Sequence, residues 1–260
     1  MAYNYIATSK NPTAVSHACV CQFTSPDGRD LIVSKCNRLE VHSLTSDTLV
    51  PVIDVPLYGR ITTLQFYRPK NHPQDVLFVL TEKKHFSILG YDAVNKGIAT
   101  WATGDVRDKI GKELEMGPVG MIDPDNRMIG MLLIEGLLKV VPVDGKRLKE
   151  AFNLRLENLR IVHVAFLYGC DEPTICVLFE NNEYARYVKT YVVDVRDRQL
   201  LSGEAAPVKV DDNATMIIPV PAPAKGYLVI AQRTITYMNK NGAGMQSTVM
   251  GAKQFTAFGT

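Results

Sequence analysis

His17, Cys19 and Cys21 stand two residues apart in the segment HACVC. Side chains on a β-strand repeat every two residues, so all three would face one way and could offer a ring nitrogen and two sulfurs to a metal. Structural zinc sites, however, pair cysteines two to four residues apart across a turn, and they need a fourth ligand. Here only a distant residue such as Cys36 could supply it. The favoured reading is a core strand whose buried face is Val15, His17, Cys19, Cys21 and Phe23, with no metal and no cofactor. Cys170 and Cys176 flank the turn segment DEPTI and are expected to pack inside their strands.

Other chemistry-bearing patterns fail on spacing. Gly104 and Gly111 are separated by six residues where a phosphate loop has four, and Glu113 stands where such a loop needs a magnesium-binding Ser or Thr. No GxSxG elbow, HExxH helix or DxDxDG calcium loop occurs. The expectation is a protein without catalytic residues, whose work is binding.

Composition narrows the partners. Twenty-nine basic and 27 acidic residues leave a formal charge of +2 on 260 residues, too balanced to single out a polyanion as the main ligand. Basic side chains do gather at Lys83-Lys84, at Arg107, Lys109 and Lys112, and at Lys146, Arg147 and Lys149. Each cluster reads either as a solvated loop or as an anchor for an acidic or helical partner. Trp101 is the single tryptophan, and no row of exposed aromatics is evident, so a base-stacking surface has little support. Apolar runs are strand-sized, far short of the roughly 20 residues of a membrane span, so no membrane partner is expected. The N-terminus lacks the basic and apolar regions of an export signal. Five cysteines, an odd set, fit free thiols in a reducing compartment. The Asn213-Ala214-Thr215 sequon is then expected to stay unmodified.

The scaffold that would carry such binding is legible in repeats. Four times an apolar strand is followed by a short turn and a second apolar strand, beginning at Ile61, Val119, Ile161 and Met216. A fainter unit begins at Val15. Successive starts lie 46, 58, 42 and 55 residues apart, near the roughly 40–50 residues that one four-stranded propeller blade occupies. Asp123-Pro124-Asp125-Asn126, Glu135-Gly136, Asn181-Asn182 and Lys225-Gly226 supply hairpin turns. Gly104–Gly117 and Gly203–Thr215 are expected to be long polar loops, the first of them exposed. The predicted fold is all-β, an incomplete β-propeller of four to five blades with four antiparallel strands each. Residues 1–14 are set apart as an N-terminal strand that pairs outside this propeller, and 15–260 form the partial propeller. The final stretch, NKNGAGMQSTVMGAKQFTAFGT, is expected to begin another blade.

Specific strings add a resemblance. IDPDNRMIGMLLIEGLLKVVPVD, LKEAFNLRLENL, FLYGCDEPTICVLFE and VKTYVVDVRDR, with MAYNYIATSKNPTAV, NRLEV and ITYMN, resemble the family of large subunits found in the UV-damaged-DNA-binding, polyadenylation-specificity and splicing complexes. The first of these matches best, over nearly the whole chain. The resemblance implies a three-propeller adaptor of a cullin-RING ubiquitin ligase, in the nucleus and cytoplasm, supporting DNA damage repair and protein ubiquitination. In that family one propeller binds the cullin scaffold and two form a cleft for WD-repeat substrate receptors. This chain corresponds to most of the first propeller, so it would meet the cullin only through propellers absent here, and damaged DNA only indirectly. Tyr3–Thr8 would be the strand that crosses to another propeller. Carried over as partner-binding residues are Lys109, Lys112 and Arg155. Lys109 and Lys112 stand where the family has arginine, and Leu132 where it has a basic residue. The alternative reading is a nucleic-acid-binding subunit like the RNA-processing relatives.

Overall fold

The computed structural model describes residues 9–108, 110–157, 160–203 and 206–239, and the backbone of 246–249. Its described residues contain strands and no helix, gathered into five antiparallel sheets. The first blade holds β1 (His17–Cys21), β2 (Asp30–Lys35), β3 (Arg38–Leu44) and β4 (Leu49–Pro56). The second holds β5 (Ile61–Tyr67), β6 (Val76–Thr81), β7 (His85–Asp92) and β8 (Gly97–Asp105). The third has β9 (Val119–Ile122), β10 (Met128–Ile134) and β11 (Leu137–Asp144), and its outer edge is split into β12 (Arg147–Leu148) and β13 (Phe152–Arg155), both paired to β11. The fourth has β14 (Arg160–Phe166), β15 (Thr174–Glu180) and β16 (Arg186–Asp194), with β17 (Gln199–Ser202) and β18 (Val208–Lys209) both on β16. The fifth holds β19 (Met216–Pro219), β20 (Tyr227–Ile230), β21 (Thr234–Met238) and β22 (Gln246–Val249). The first strands of successive blades lie side by side, β1 by β5, β5 by β9, β9 by β14 and β14 by β19.

The core explains the apolar runs. It consists of four hydrophobic clusters, one at each seam between consecutive blades. Strand alternation sends Leu77 and Val79 of β6 into the first seam, and Val76, Phe78 and Leu80 into the second. β10 likewise divides Ile129, Met131 and Leu133 from Met128 and Leu132, and β15 divides Ile175 and Val177 from Cys176 and Leu178. In the second, third and fourth blades the second strand is therefore buried on both faces and reads as a continuous apolar run, not an alternating one.

Buried carboxylates tie the hairpins on one face of the ring. Asp30 accepts hydrogen bonds from the amides of Phe23 (3.1 Å) and Thr24 (2.6 Å). Asp75 accepts from the Gln22 amide in the preceding blade and from Arg68 Nε, both at 2.8 Å. Asp123 holds Arg127, whose guanidinium crosses to the carbonyl oxygens of Cys170 and Asp171 in the fourth blade.

At the last seam, the Ile217 amide donates to His163 Nδ1 at 3.4 Å, which requires that nitrogen to be unprotonated. Burial holds the His163 pKa below its ordinary 6.5. A depressed folded pKa means that the unfolded chain takes up the proton first as pH falls. Stability present above pH 6.5 is therefore lost below it, by at most about 1.4 kcal/mol per pH unit. Urea unfolding at pH 7.5 and 5.5 checks this: the drop in wild type should exceed that in His163→Gln, and equal drops would refute it.

Several expectations are corrected. The C-terminal stretch begins no sixth blade in the described residues: Gln246–Val249 pairs with β21 as the fourth strand of the fifth blade. Gly104–Gly117 is not simply exposed. Its first two residues end β8, Val106 and Leu114 are buried, and Glu113 bridges to Ile134, because the segment packs down into the seam it crosses. Gly203–Thr215 contains β18 and the fully buried Ala214. Val15 lies outside β1 and is exposed, and Cys170 sits, buried, in the turn between β14 and β15. Tyr3–Thr8 lies outside the described residues.

Candidate functional site: two grooves on the loop face

The turns between second and third strands share a face with the connections that lead into each next blade. Backbone hydrogen bonds join them: Ile61 N to Cys36 O, Val106 N to Lys84 O, Glu135 N to Lys112 O and Leu156 N to Gly136 O. The β10–β11 turn is short because Gly136 takes a φ of 71°, which a side chain would resist. It holds Glu135 at the centre of the site.

Glu135 borders two grooves. One, of about 600 Å³, is lined by Glu135, Gly136, Arg155, Leu156 and Glu157. The other, of about 460 Å³, has Leu114, Met116, Ile161, Val162 and Tyr184 as its apolar lining, with Glu115, Glu135, Arg160, Glu180 and Arg186 around them. The register opposing Arg155 to Leu137 sets Arg155 beside the Glu135 turn. Lys112 reaches the same turn from the inter-blade loop, its Nζ 2.8 Å from Glu135 Oε1. The Glu135 carboxylate raises the pKa of this exposed ammonium.

The structure thus brings Lys112 and Arg155 to one turn, although the sequence separates them widely. Arg155 is exposed, and its side chain has no ion pair or hydrogen bond among the described residues. Lys109 lies outside the described residues. Leu132, where the resemblance calls for a basic residue, is fully buried in the seam between the third and fourth blades and is no part of this surface.

The apolar side of the site was missed in the sequence. Tyr184 is 67% exposed at a φ of 63°, an uncommon conformation for an aromatic residue, and the Arg160 guanidinium lies 5.2 Å from its ring. Ile110 is 90% exposed on the connection beside Lys112, and Tyr58 on the β4–β5 connection is fully exposed. Tyr184 and Tyr58 are exposed aromatics that were not evident in the sequence. An aromatic inside the polar turn segment NNEYA was the available signal. Chemically, the site offers apolar anchors, the Arg155 guanidinium without an ion pair among the described residues, and carboxylates paired with Lys112, Arg160 and Lys189. Among the described residues no group of three or more His, Cys, Asp or Glu is placed to hold a metal.

Five sequential antiparallel blades with exposed loops on a rigid base define a β-propeller. Residues 14–254 match the family model described as the RSE1/DDB1/CPSF1 first beta-propeller, and the chain belongs to that family. It is 48% identical over 240 residues to "DNA damage-binding protein 1" of Oryza sativa subsp. japonica, covering 92% of this chain and 22% of that protein. "DNA damage-binding protein 1a" of Arabidopsis thaliana is 47% identical over 237 residues, 91% of this chain and 22% of that protein. The chain therefore spans about a fifth of the length of the curated relatives it matches.

Proposed function

We propose that this chain is the receptor-facing propeller segment of a cullin-RING ubiquitin-ligase adaptor, a non-catalytic scaffold in the nucleus and cytoplasm that supports DNA damage repair and protein ubiquitination. The observation that carries the reading is the loop face, which presents exposed Ile110, Met116 and Tyr184 and an Arg155 side chain without an ion pair among the described residues, on a chain nearly half identical to proteins named for damage binding. A few large apolar side chains in a groove supply most interface energy, while peripheral charges steer encounter and orientation. WD-repeat receptors are the partners, and the cullin is met only through propellers outside this chain. Damaged DNA is reached through those partners. The grooves alternate Glu115, Glu135, Glu157 and Glu180 with their cations, which is a poor track for phosphates.

Binding of a WD-repeat receptor by this chain, followed by surface plasmon resonance, tests the reading. Arg155→Glu with Lys112→Glu should weaken capture about tenfold or more, chiefly through the on-rate. Tyr184→Ala should act through dissociation. Wild-type chain that captures no WD-repeat receptor, or retains DNA in a salt-dependent way instead, would overturn it.

A further inference from the structure

Ile110 stands out from the β8–β9 connection with 90% of its surface in water. A single exposed aliphatic side chain is ordinary on a protein surface when its loop is free to fold it away. This loop is held at both ends. Downstream, Gly111 runs at a φ of 152° so close over Ile134 that a Cβ has no room there. Lys112 O then accepts from the Glu135 amide at 2.9 Å, Glu113 bridges to Ile134, and Leu114 is buried. Upstream, Val106 is buried and its amide donates to Lys84 O at 3.0 Å.

Asp108 completes the upstream clamp. Lys139 Nζ and Asn153 Nδ2 both donate to its Oδ1, at 3.0 and 3.3 Å. The β11–β13 register sets those two donors opposite each other. Asp108 and Lys139 keep only 19% and 13% of their side chains exposed, and Asp108 Oδ2 is buried with no hydrogen-bond partner among the described residues. A buried ion pair with one acceptor left unmade is a poor stabiliser, because the cost of taking both charges from water roughly cancels their attraction. What the pair does fix is place. Lys109 and Ile110 alone separate Asp108 from Gly111 in the sequence.

We infer, on the reading of this face as a receptor surface, that Asp108 is a positioning residue: through Lys139 and Asn153 it holds the β8–β9 connection so that Ile110 projects as one aliphatic knob into an apolar pocket of the partner protein. Asp108 acts through that connection and not by contact with the partner. A side chain already held in its bound position adds its burial to affinity without the entropy cost of ordering a loop. Such a knob suits a concave apolar pocket, the setting in which single side chains dominate an interface.

Asp108→Leu with Lys139→Met tests the clamp, since it removes both charges, keeps the net charge and fills the space with apolar atoms of similar size. Its urea midpoint should match or exceed that of wild type. Trypsin should nonetheless nick the native chain after Lys109 or Lys112 about tenfold faster, because cleavage follows local opening. Capture of a WD-repeat receptor, followed by surface plasmon resonance, should weaken about three- to tenfold in the paired variant, and about tenfold or more in Ile110→Ala. In the Ile110→Ala background the paired substitution should cost less than about twofold, because Asp108 acts only through that side chain. Asp108→Asn, which keeps the side chain's shape and loses its charge, should move nicking and capture in the same direction and serves if the paired variant misfolds. Wild type that captures no receptor sinks the receptor-surface reading and the knob's partner with it, even where nicking changes as stated. With capture intact, unchanged nicking in these variants, or an affinity loss that is the same with and without Ile110, overturns the clamp.

Discussion

Phe78→Ala should lower the unfolding free energy by about 3–5 kcal/mol, the range for emptying a fully buried aromatic site. Phe78 is inaccessible to solvent in the seam between the second and third blades, with the Phe86 ring centroid 6.4 Å away. The space it fills is shaped from the other side by a residue without a side chain. A Cβ added at Gly120 would lie 2.4 Å from Phe78 Cε1. Gly120 is also fixed across the seam by its amide, which donates to Thr63 Oγ1 at 2.9 Å, so the backbone cannot move in to close the void. Gly120→Ala alone should cost about 1–3 kcal/mol by overpacking. Combined with Phe78→Leu it should cost less than the two single changes summed, because the smaller side chain makes room for the methyl. Urea unfolding of the four proteins checks this, and strict additivity would refute the shared site.

Asp123→Ala should cost about 2–4 kcal/mol, somewhat below the range for breaking a fully buried pair, because Arg127 keeps 28% of its side chain exposed. Asp123 is wholly buried and accepts from the Arg127 amide at 3.1 Å, from Nε at 2.7 Å and from the guanidinium's other branch at 2.9 Å. The same guanidinium donates to Asp171 O at 2.7 Å, so the pair carries the third blade onto the fourth. Removing the carboxylate takes the acceptor from the part-buried Arg127 amide and leaves the guanidinium with only the more exposed Asp125 carboxylate, 3.2 Å away, as a counter-charge. Arg127→Met in the Asp123→Ala background should recover part of the loss by removing a half-buried cation that has lost its main partner. If the single change costs under about 1 kcal/mol in urea, the pair contributes little beyond geometry.

Much of the scaffold was legible because of how seams use strands. The repeat starts at Ile61, Val119 and Met216 coincide with β5, β9 and β19, and that at Ile161 falls one residue inside β14. Second strands such as VLFVLT and MIGMLLI are buried throughout, which gives the strongest apolar signal a chain can carry. Outer strands carry almost none. β12, β13 and β18 are two to four residues long on the perimeter, and β22 closes its sheet from a segment read as a new beginning.

The site was only half visible. Resemblance marked Lys112 and Arg155, yet the placement of Arg155 beside the turn that Lys112 reaches depends on the β11–β13 register, which no local pattern encodes. The exposure of Ile110 and Tyr184 depends on where loops lie over the seam, and an apolar residue in a short connection reads the same whether it points in or out.

Every seam among the described residues joins blades that are consecutive in the chain, and this has a consequence for synthesis. A ribosome releases the polypeptide from its N-terminus at about 5–20 residues per second. Each blade leaves the exit tunnel when the surface it must cover has already been made and is waiting. No apolar face of an inner blade has to wait for a distant segment, so the nascent chain can bury its growing core one blade at a time.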